Sequence, residues 1–310
     1  MKKIISPLFL LLTGLLGLLG SGCKNKLSLD ANGVPHTLVV GVYQGDSPAD
    51  VAKVLNPIKQ YLSQKLNMPV EFLLSSDYTS VIEAIRSNKV HMAYLSPFSY
   101  ALATQNIKLQ PLVVVGENGK PTAYRSLIIT NPRTGLKTMD DVKARSKSLT
   151  LCFADPASTS GHLVPRAYLN SIGLDPDTSF KQKLFAGSHA ASALSVKSGK
   201  VDVGCVFEYA LGMLTRKGML KEDDIVVLWT SDPIVEGPIT MRSDINKDFT
   251  EKVRNAYLRL PVDAPELWNA YIKLYRTSSA NMSYVPASDS MYEGVRKIAG
   301  GIKGLDLSKK

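Results

Sequence analysis

Three adjacent hydroxyl side chains form the feature of this sequence with the clearest chemistry. Ser158, Thr159 and Ser160 lie in the segment DPASTSGH, residues 155–162, after an apolar run and before a helical pattern. Backbone N–H groups at a helix start bind anions, and hydroxyls add further donors. A helix start needs only one capping hydroxyl, so three in a row favour an anion site over a simple N-cap. The Gly-Lys-Ser/Thr ending of a nucleotide phosphate loop is missing.

Strand and helix patterns that would position this segment alternate along the chain. Apolar runs typical of strands are followed by amphipathic helices over residues 37–131, and the alternation restarts over residues 140–230. This pattern predicts an α/β fold in which mixed, mostly parallel sheets are flanked by helices. We therefore predict two lobes joined by a hinge, with chain crossings near residues 124–126 and 229–233.

The predicted lobes are discontinuous in sequence because the C-terminal helices are expected to return to the first lobe. The first lobe is predicted to contain residues 37–125 and 234–310, and the second lobe residues 126–233. About 270 folded residues are enough for two such lobes.

The N-terminal residues have the layout of an export signal. Two lysines precede an apolar run, residues 8–19, and small residues then precede Cys23. This predicts a cleavable signal peptide over residues 1–22. Cys23 resembles the lipid-attachment cysteine of bacterial lipoproteins; ordinary cleavage with an incidental cysteine is the alternative. Residues 23–36 are polar and predict a flexible tether.

Charge and cysteine content exclude several classes of protein. The formal net charge is +10, but the basic residues are dispersed and form no stripe for nucleic acid. Cys152 and Cys205 lie in apolar runs, which favours buried free thiols and leaves a disulfide as the alternative. No spacing typical of a metal site, no catalytic nucleophile with its base and no phosphate-loop lysine is visible. We therefore expect neither a cofactor nor an enzyme.

Three segments together resemble one known family. They are YTSVIEAIRSNKVHMAYLSPFSYALA at residues 78–103, DPASTSGHLVPRAYL at residues 155–169 and FAGSHAASALSVKSGKVDVGCVFEYAL at residues 185–211. They are similar to signature blocks of the phosphate, phosphite and phosphonate-binding proteins of ABC importers, the PhnD-like family. The resemblance implies a two-lobed type II binding protein, exported, monomeric and not enzymatic, that delivers a small phosphorus oxyanion to a membrane permease.

The resemblance also implies roles for individual residues. Ser158, Thr159 and Ser160 match a hydroxyl triplet that holds the phosphonate oxygens. Further matching positions contribute from both lobes, and they are Tyr78, Tyr124 and His189. We expect His189 to add a charged donor to the oxyanion. Positions of secondary interest near the cleft are Tyr43, Tyr94 and His162.

Two carboxylates bear on the identity of the ligand. Glu208 and Glu236 match acidic positions that hold the ammonium group in aminoethylphosphonate-binding members of the family. If both face the cleft, 2-aminoethylphosphonate is expected to bind better than methylphosphonate or phosphate, because carboxylates near an anion need a cation. Phosphite, hypophosphite and phosphate stay open as ligands, and so does a sensor subunit that binds the same ligand for a receptor.

Overall fold

The computed structural model describes residues 27–302. The predicted signal peptide, residues 1–22, and the predicted lipid-attachment residue Cys23 lie outside the described residues. Within residues 27–302, no helix combines the length and apolar character that a membrane span requires.

Strands and helices alternate over most of this part of the chain. The strands are β1 (Leu38–Tyr43), β2 (Val70–Ser75), β3 (Met92–Tyr94), β4 (Leu109–Glu117), β5 (Lys120–Pro121), β6 (Ala123–Tyr124), β7 (Ser126–Thr130), β8 (Thr150–Phe153), β9 (Gln182–Phe185), β10 (Val203–Phe207), β11 (Val226–Thr230), β12 (Ile234–Val235), β13 (Ile239–Arg242) and β14 (Met282–Pro286). The α-helices are α1 (Pro48–Leu66), α2 (Tyr78–Arg86), α3 (Pro97–Ala103), α4 (Met139–Arg145), α5 (Val164–Ser171), α6 (His189–Ser198), α7 (Glu208–Arg216), α8 (Lys247–Asp263), α9 (Pro265–Lys273) and α10 (Glu293–Gly300).

The first sheet has the strand order β14-β4-β13-β3-β1-β2, with β5 also paired to β4. Its central strand β1, LVVGVY, is apolar throughout because both faces are covered. Val40 packs into one hydrophobic cluster and Val39 into another on the opposite face. β1 runs parallel to β3, with Val42 opposite Tyr94. The two strands therefore end side by side, at Tyr43 and Tyr94.

The second sheet has the strand order β11-β7-β10-β8-β9. β8 runs parallel to β9 and β10, whereas β7 is antiparallel to β10 and β11. The predicted α/β fold class with two lobes and mixed sheets is confirmed. Parallel pairing is less extensive than predicted in the first sheet, because β13 and β14 pair there in the antiparallel direction.

The chain passes between the two sheets through a two-stranded ribbon of β6 and β12. Ile234 lies opposite Tyr124 and Val235 opposite Ala123. Just beyond the ribbon, the Ser126 N–H donates to Ser231 Oγ over 2.9 Å and the Ser231 N–H donates to Ser126 O over 2.9 Å. The two crossings are therefore held together by backbone and side-chain hydrogen bonds.

Helix α1 illustrates how the sequence positions residues toward the space between the sheets. It begins after Ser47 with Pro48 in its first turn and ends at Asn67 in the left-handed conformation, with φ 55°. Its buried residues recur at helical spacing and are Val51, Leu55, Ile58, Tyr61, Leu62 and Leu66. Two of these buried residues, Val51 and Leu55, also line the cavity described below.

The prediction of a flexible tether over residues 23–36 is wrong for residues 27–36. Residues 27–36 form a compact loop in which Leu29 and Pro35 are bridged as in a short strand pair. The Asp30 carboxylate accepts from the Val34 N–H over 2.9 Å. Leu29 and Val34 pack against the hydrophobic cluster that contains Val40. Two apolar side chains within a polar segment are enough to fix it against the lobe.

Cys152 and Cys205 are free and buried, which confirms the favoured sequence interpretation. Cys152 lies opposite Gly204 in the pairing of β8 with β10, so Cys205 is one residue out of register. Side chains alternate between faces along a strand, and the two thiols accordingly belong to hydrophobic clusters on opposite faces of the sheet. They point away from each other and cannot be bridged without moving the backbone.

Candidate functional site

A cavity of about 210 Å³ lies between the two sheets. Its lining includes the ends of β1 and β3 in the first lobe and the segment after β8 in the second lobe. The sequence-predicted site residues that line it are Tyr43, Tyr78, Tyr94, Tyr124, Ser158, Thr159, Ser160, His189 and Glu236. The structure therefore brings together nine of the eleven candidate positions; Glu208 and His162 are not among the lining residues.

The hydroxyl triplet follows β8 through a tight turn. Ser158 caps a π-helical turn, Thr159–Leu163, by accepting from the Gly161 N–H over 3.0 Å, and α5 continues from that turn. A Cβ at Gly161 would lie 2.4 Å from the Ala154 Cβ, so only glycine fits there. Ser158 is thus an N-cap as well as a cavity residue, and both interpretations of the triplet apply to it.

The hydrogen bonds of Ser158 leave its own proton available for a ligand. His189 Nδ1 accepts from the Phe207 N–H over 3.2 Å, so the neutral imidazole carries its proton on Nε2. That Nε2 lies 3.2 Å from Ser158 Oγ and donates to it. Since Ser158 Oγ also accepts from Gly161, both of its lone pairs are occupied. The hydroxyl proton is then free to be donated into the cavity.

The expectation that His189 provides a charged donor is wrong. Burial lowers the pKa of His189, and the nearby Asp46 carboxylate only partly opposes this effect. A proton on Nδ1 would also face the Phe207 N–H at 3.2 Å. His189 is therefore a neutral residue that orients Ser158 from the cavity wall.

Thr159 and Ser160 are almost completely buried, with 1% and 2% of their surface exposed. Thr159 Oγ1 accepts from the Phe98 N–H at the start of α3 over 2.8 Å, which ties the triplet to the first lobe. Both hydroxyls lie close to the phenol of Tyr124, whose pKa is raised by burial. Tyr124 is therefore protonated and can donate alongside the triplet.

Tyr43 and Tyr78 form a stacked pair on the cavity wall. Their ring centroids are 3.9 Å apart and their planes are inclined by 17°. Burial raises the pKa of both phenols, so they are neutral donors. The Tyr43 hydroxyl is buried, lies near the Asp46 carboxylate and makes no hydrogen bond of ordinary geometry among the described residues. A ligand oxygen in the cavity would satisfy it. Tyr94 differs, since its hydroxyl already donates to Tyr257 Oη over 3.0 Å.

Glu236 reaches the cavity but is already paired. Arg276 donates to the Glu236 carboxylate over 2.5 Å and to Thr122 Oγ1 over 3.0 Å. Burial raises the pKa of Glu236, and the Arg276 guanidinium opposes that shift. The guanidinium also lies 4.6 Å from the ring centroid of Tyr209 in the second lobe. The carboxylate of Glu236 is thus neutralised within the protein.

Glu208 and His162, which the sequence also suggested as ligand contacts, are not among the lining residues, and other groups of the protein hold their side chains. Glu208 is the first residue of α7, and its carboxylate accepts from the Arg125 N–H over 3.0 Å. His162 Nδ1 lies 2.7 Å from Pro156 O, and its ring packs edge-on against Phe153 and Phe185. The first residue binds the backbone near the crossing and the second is part of the core of the second lobe.

Several cavity residues were not identified from the sequence. The charged ones are Asp46 and Arg276, and the aromatic ones are Phe207, Tyr209, Tyr271, Tyr275 and Tyr284. Asp46 Oδ1 accepts from the Ala190 N–H at the start of α6, over 2.9 Å. The segment YIKLYR, with an arginine among tyrosines, was the available signal for Arg276.

The lining has little net charge. Among the described residues that line the cavity, Arg276 is the single cation, and Asp46 and Glu236 are the acids. Residues 27–302 contain no group of three or more histidine, cysteine or acidic side chains that could hold a metal ion. Any anion bound here would be held by neutral hydroxyl, phenol and N–H donors.

A family model for the periplasmic substrate-binding protein of phosphonate ABC transporters matches residues 40–292. Among individual relatives, the chain is 26% identical over 300 residues to the phosphate-import protein PhnD of Mycolicibacterium smegmatis, covering 90% of this chain and 89% of that one. Its fold is similar to the crystal structure of a binding-protein component of an ABC phosphonate transporter from Pseudomonas aeruginosa, with a TM-score of 0.76, 24% identity, and 84% and 85% of the two chains covered.

A second solved structure has the same fold. PhnD1 from Prochlorococcus marinus, in complex with methylphosphonate, has a TM-score of 0.73 at 19% identity, with 86% of this chain and 97% of that chain covered. Proteins of the matched family are binding components of transporters rather than enzymes, and they act outside the cytoplasm. The chain belongs to the family of periplasmic substrate-binding proteins of ABC importers for ligands of the phosphonate and phosphate type.

Proposed function

We propose that the cavity binds a phosphonate whose oxygens lie on Ser158, Thr159 and Ser160, and that the protein delivers it to the permease of an ABC importer. The observation that carries this proposal is the buried triplet in the cavity wall, no more than 2% exposed at any of its residues. Both lone pairs of Ser158 and one lone pair of Thr159 are occupied by protein donors, which leaves both hydroxyl protons available to an acceptor. The methylphosphonate complex of the Prochlorococcus protein supports this ligand class.

The same geometry argues against an ammonium-bearing ligand. The preference for 2-aminoethylphosphonate required two free carboxylates in the cleft. Glu236 is paired with Arg276, and Glu208 accepts from Arg125 outside the lining. Neither of these two carboxylates is therefore free to pair with an ammonium group, and we expect 2-aminoethylphosphonate to bind no better than methylphosphonate.

Calorimetric titration with methylphosphonate, phosphite and phosphate tests the clamp. Ser160→Ala removes one donor, and we expect it to weaken binding of the preferred ligand by about 1–3 kcal/mol. Ser160 is a cleaner probe than Thr159, because Thr159→Val would also leave the Phe98 N–H without its acceptor.

The matched control is Ser198→Ala, a loss of the same hydroxyl at an exposed position at the end of α6. It should bind like the wild type. Unchanged affinity in a folded Ser160→Ala protein would remove the triplet from the site, and failure of every phosphorus oxyanion to bind would overturn the proposed ligand class.

The proposal includes a lipid on Cys23, supported by the apolar run and small residues before this cysteine. The lipid would hold the protein at the membrane, close to the permease. Metabolic labelling with palmitate in a bacterial host should label the wild type and leave Cys23→Ser unlabelled and released from the membrane fraction. A wild-type protein without label would contradict the anchor and would leave the ligand proposal untouched.

A further inference from the structure

The cavity extends well beyond the hydroxyl triplet. Its inner end is lined by first-lobe residues, and these are Val42, Leu55, Tyr94, Val115, Tyr271 and Tyr284. Val115 on β4 lies opposite Tyr284 on β14, so both side chains face the same side of the sheet. The inner end is therefore built on a rigid sheet, whereas the triplet belongs to the second lobe.

The volume exceeds what a bare oxyanion fills. An engineered apolar cavity of about 150 Å³ holds a benzene molecule. At about 210 Å³, this cavity has room for a phosphorus head group and an organic substituent together. Phosphate and phosphite have no organic substituent and would leave the inner end of the cavity unfilled. The cavity therefore has room for a substituted ligand.

The inner end contains a buried phenol whose hydroxyl is weakly paired. Tyr284 is 4% exposed, and its hydroxyl makes no hydrogen bond of ordinary geometry among the described residues. The phenols of Tyr94 and Tyr271 lie near enough to influence its pKa, which burial raises. Its ring is held between Trp268, at 4.8 Å between centroids, and Tyr257, at 5.6 Å. A fixed, neutral phenol that makes no hydrogen bond of ordinary geometry favours a ligand with a hydrogen-bonding oxygen.

The substituent that fits this end is uncharged. Glu236 is held by Arg276, and the Asp46 carboxylate accepts from the Ala190 N–H. These are the acids in the described lining, and neither is among the residues of the inner end. A charged substituent would enter apolar surroundings without a counterion, which is costly.

We propose that the inner end is a second subsite that selects organophosphonates with an uncharged, hydroxyl-bearing hydrocarbon substituent. The substituent packs on Leu55 and Val115, and its hydroxyl pairs with Tyr284. This inference rests on the proposed function, because the oxyanion must first be held by the triplet.

Titration with 2-hydroxyethylphosphonate, ethylphosphonate, 2-aminoethylphosphonate and phosphite tests the subsite. The hydroxyethyl ligand is expected to bind about tenfold more tightly than the ethyl ligand, from one added hydrogen bond. Tyr284→Phe retains the ring and should reduce this ratio to about one. Val115→Phe fills the inner end and should weaken binding of the hydroxyethyl ligand more than binding of phosphite.

Tyr168→Phe is the matched control, because Tyr168 stacks on Trp229 in the second lobe and does not line the cavity. It should leave the hydroxyethyl-to-ethyl ratio unchanged. Phosphite or the amino ligand binding as tightly as the hydroxyethyl ligand would overturn the subsite, as would a ratio that Tyr284→Phe leaves intact. If these ligands bind and Ser160→Ala weakens them all, the proposed function stands without the subsite. If none binds, the proposed function itself fails.

Discussion

At the scale of single residues, the cavity relies on neutral donors. Burial raises the pKa of the Tyr78 and Tyr124 phenols and lowers that of His189, so each is uncharged near neutral pH. Neutral groups lose less on burial than ions do. A largely uncharged lining therefore remains stable when empty and still offers several hydrogens to an oxyanion.

His162 gives a stability prediction at the same scale. Burial lowers its pKa to about 4, and the charges of Arg166 and Lys183 add to this shift. The unfolded chain binds more protons than the folded protein between that value and about 6.5, so stability is lost as the pH falls through this window. In His162→Phe, urea unfolding at about pH 7 and about pH 5 should show a weaker pH dependence, by up to about 1.4 kcal/mol per pH unit.

Asp155 changes stability with pH in the direction opposite to His162, so the wild type must be compared with His162→Phe. Burial raises its pKa to about 6, so its contribution to stability increases as the pH falls through that value. Wild type and His162→Phe share Asp155, and the difference between their slopes isolates His162. Equal slopes in the two proteins would show that His162 does not titrate in this window.

At the scale of elements, the segment between β1 and α1 connects the lobes. Asp46 accepts from the first turn of α6, where the positive end of the helix dipole favours a carboxylate. Lys217 at the end of α7 contacts Asp50 and Ser47, each over 2.5 Å. These polar contacts form only when the two lobes are close. They make this segment the first-lobe partner of the helices α6 and α7.

Elements buried on both faces could be predicted from the sequence, because their residues form continuous apolar runs. β1, Leu38–Tyr43, is such a run, and the Ser47-Pro48 pair marks where α1 begins. β13 and β14 were missed, since short strands with polar positions look like loops until β4 pairs with them. Helix α7 was missed as well.

The site residues also divide into those that could be predicted from the sequence and those that could not. The triplet could be predicted because its three residues are contiguous and chemically unusual. Arg276 and Tyr284 could not, because they come from the C-terminal return of the chain and reach the cavity only through tertiary packing. Glu208 looked like a ligand residue, but its bond to the Arg125 N–H depends on where the chain crosses between sheets.

At the scale of the whole molecule, closure follows from the way the cavity is shared. The triplet belongs to the second lobe and the stacked tyrosines belong to the first, with the ribbon of β6 and β12 between the sheets. A ligand that contacts both lobes shifts the protein toward the closed state. Small-angle scattering with saturating methylphosphonate should therefore give a smaller radius of gyration than scattering without ligand.

Ser160→Ala provides the control for closure. At a ligand concentration that saturates only the wild type, this variant should keep the larger radius of gyration. Identical radii with and without ligand in the wild type would mean that the ribbon does not act as a hinge.

The separation of Cys152 and Cys205 on opposite faces of the second sheet has a practical consequence. Both thiols are buried, and burial raises the pKa of Cys152 to about 11, which keeps it from reacting as a thiolate. Maturation of residues 27–302 thus requires no oxidoreductase. The domain has the same covalent structure in a reducing cytoplasm as in an oxidising compartment, so material purified from either source is equivalent for binding measurements.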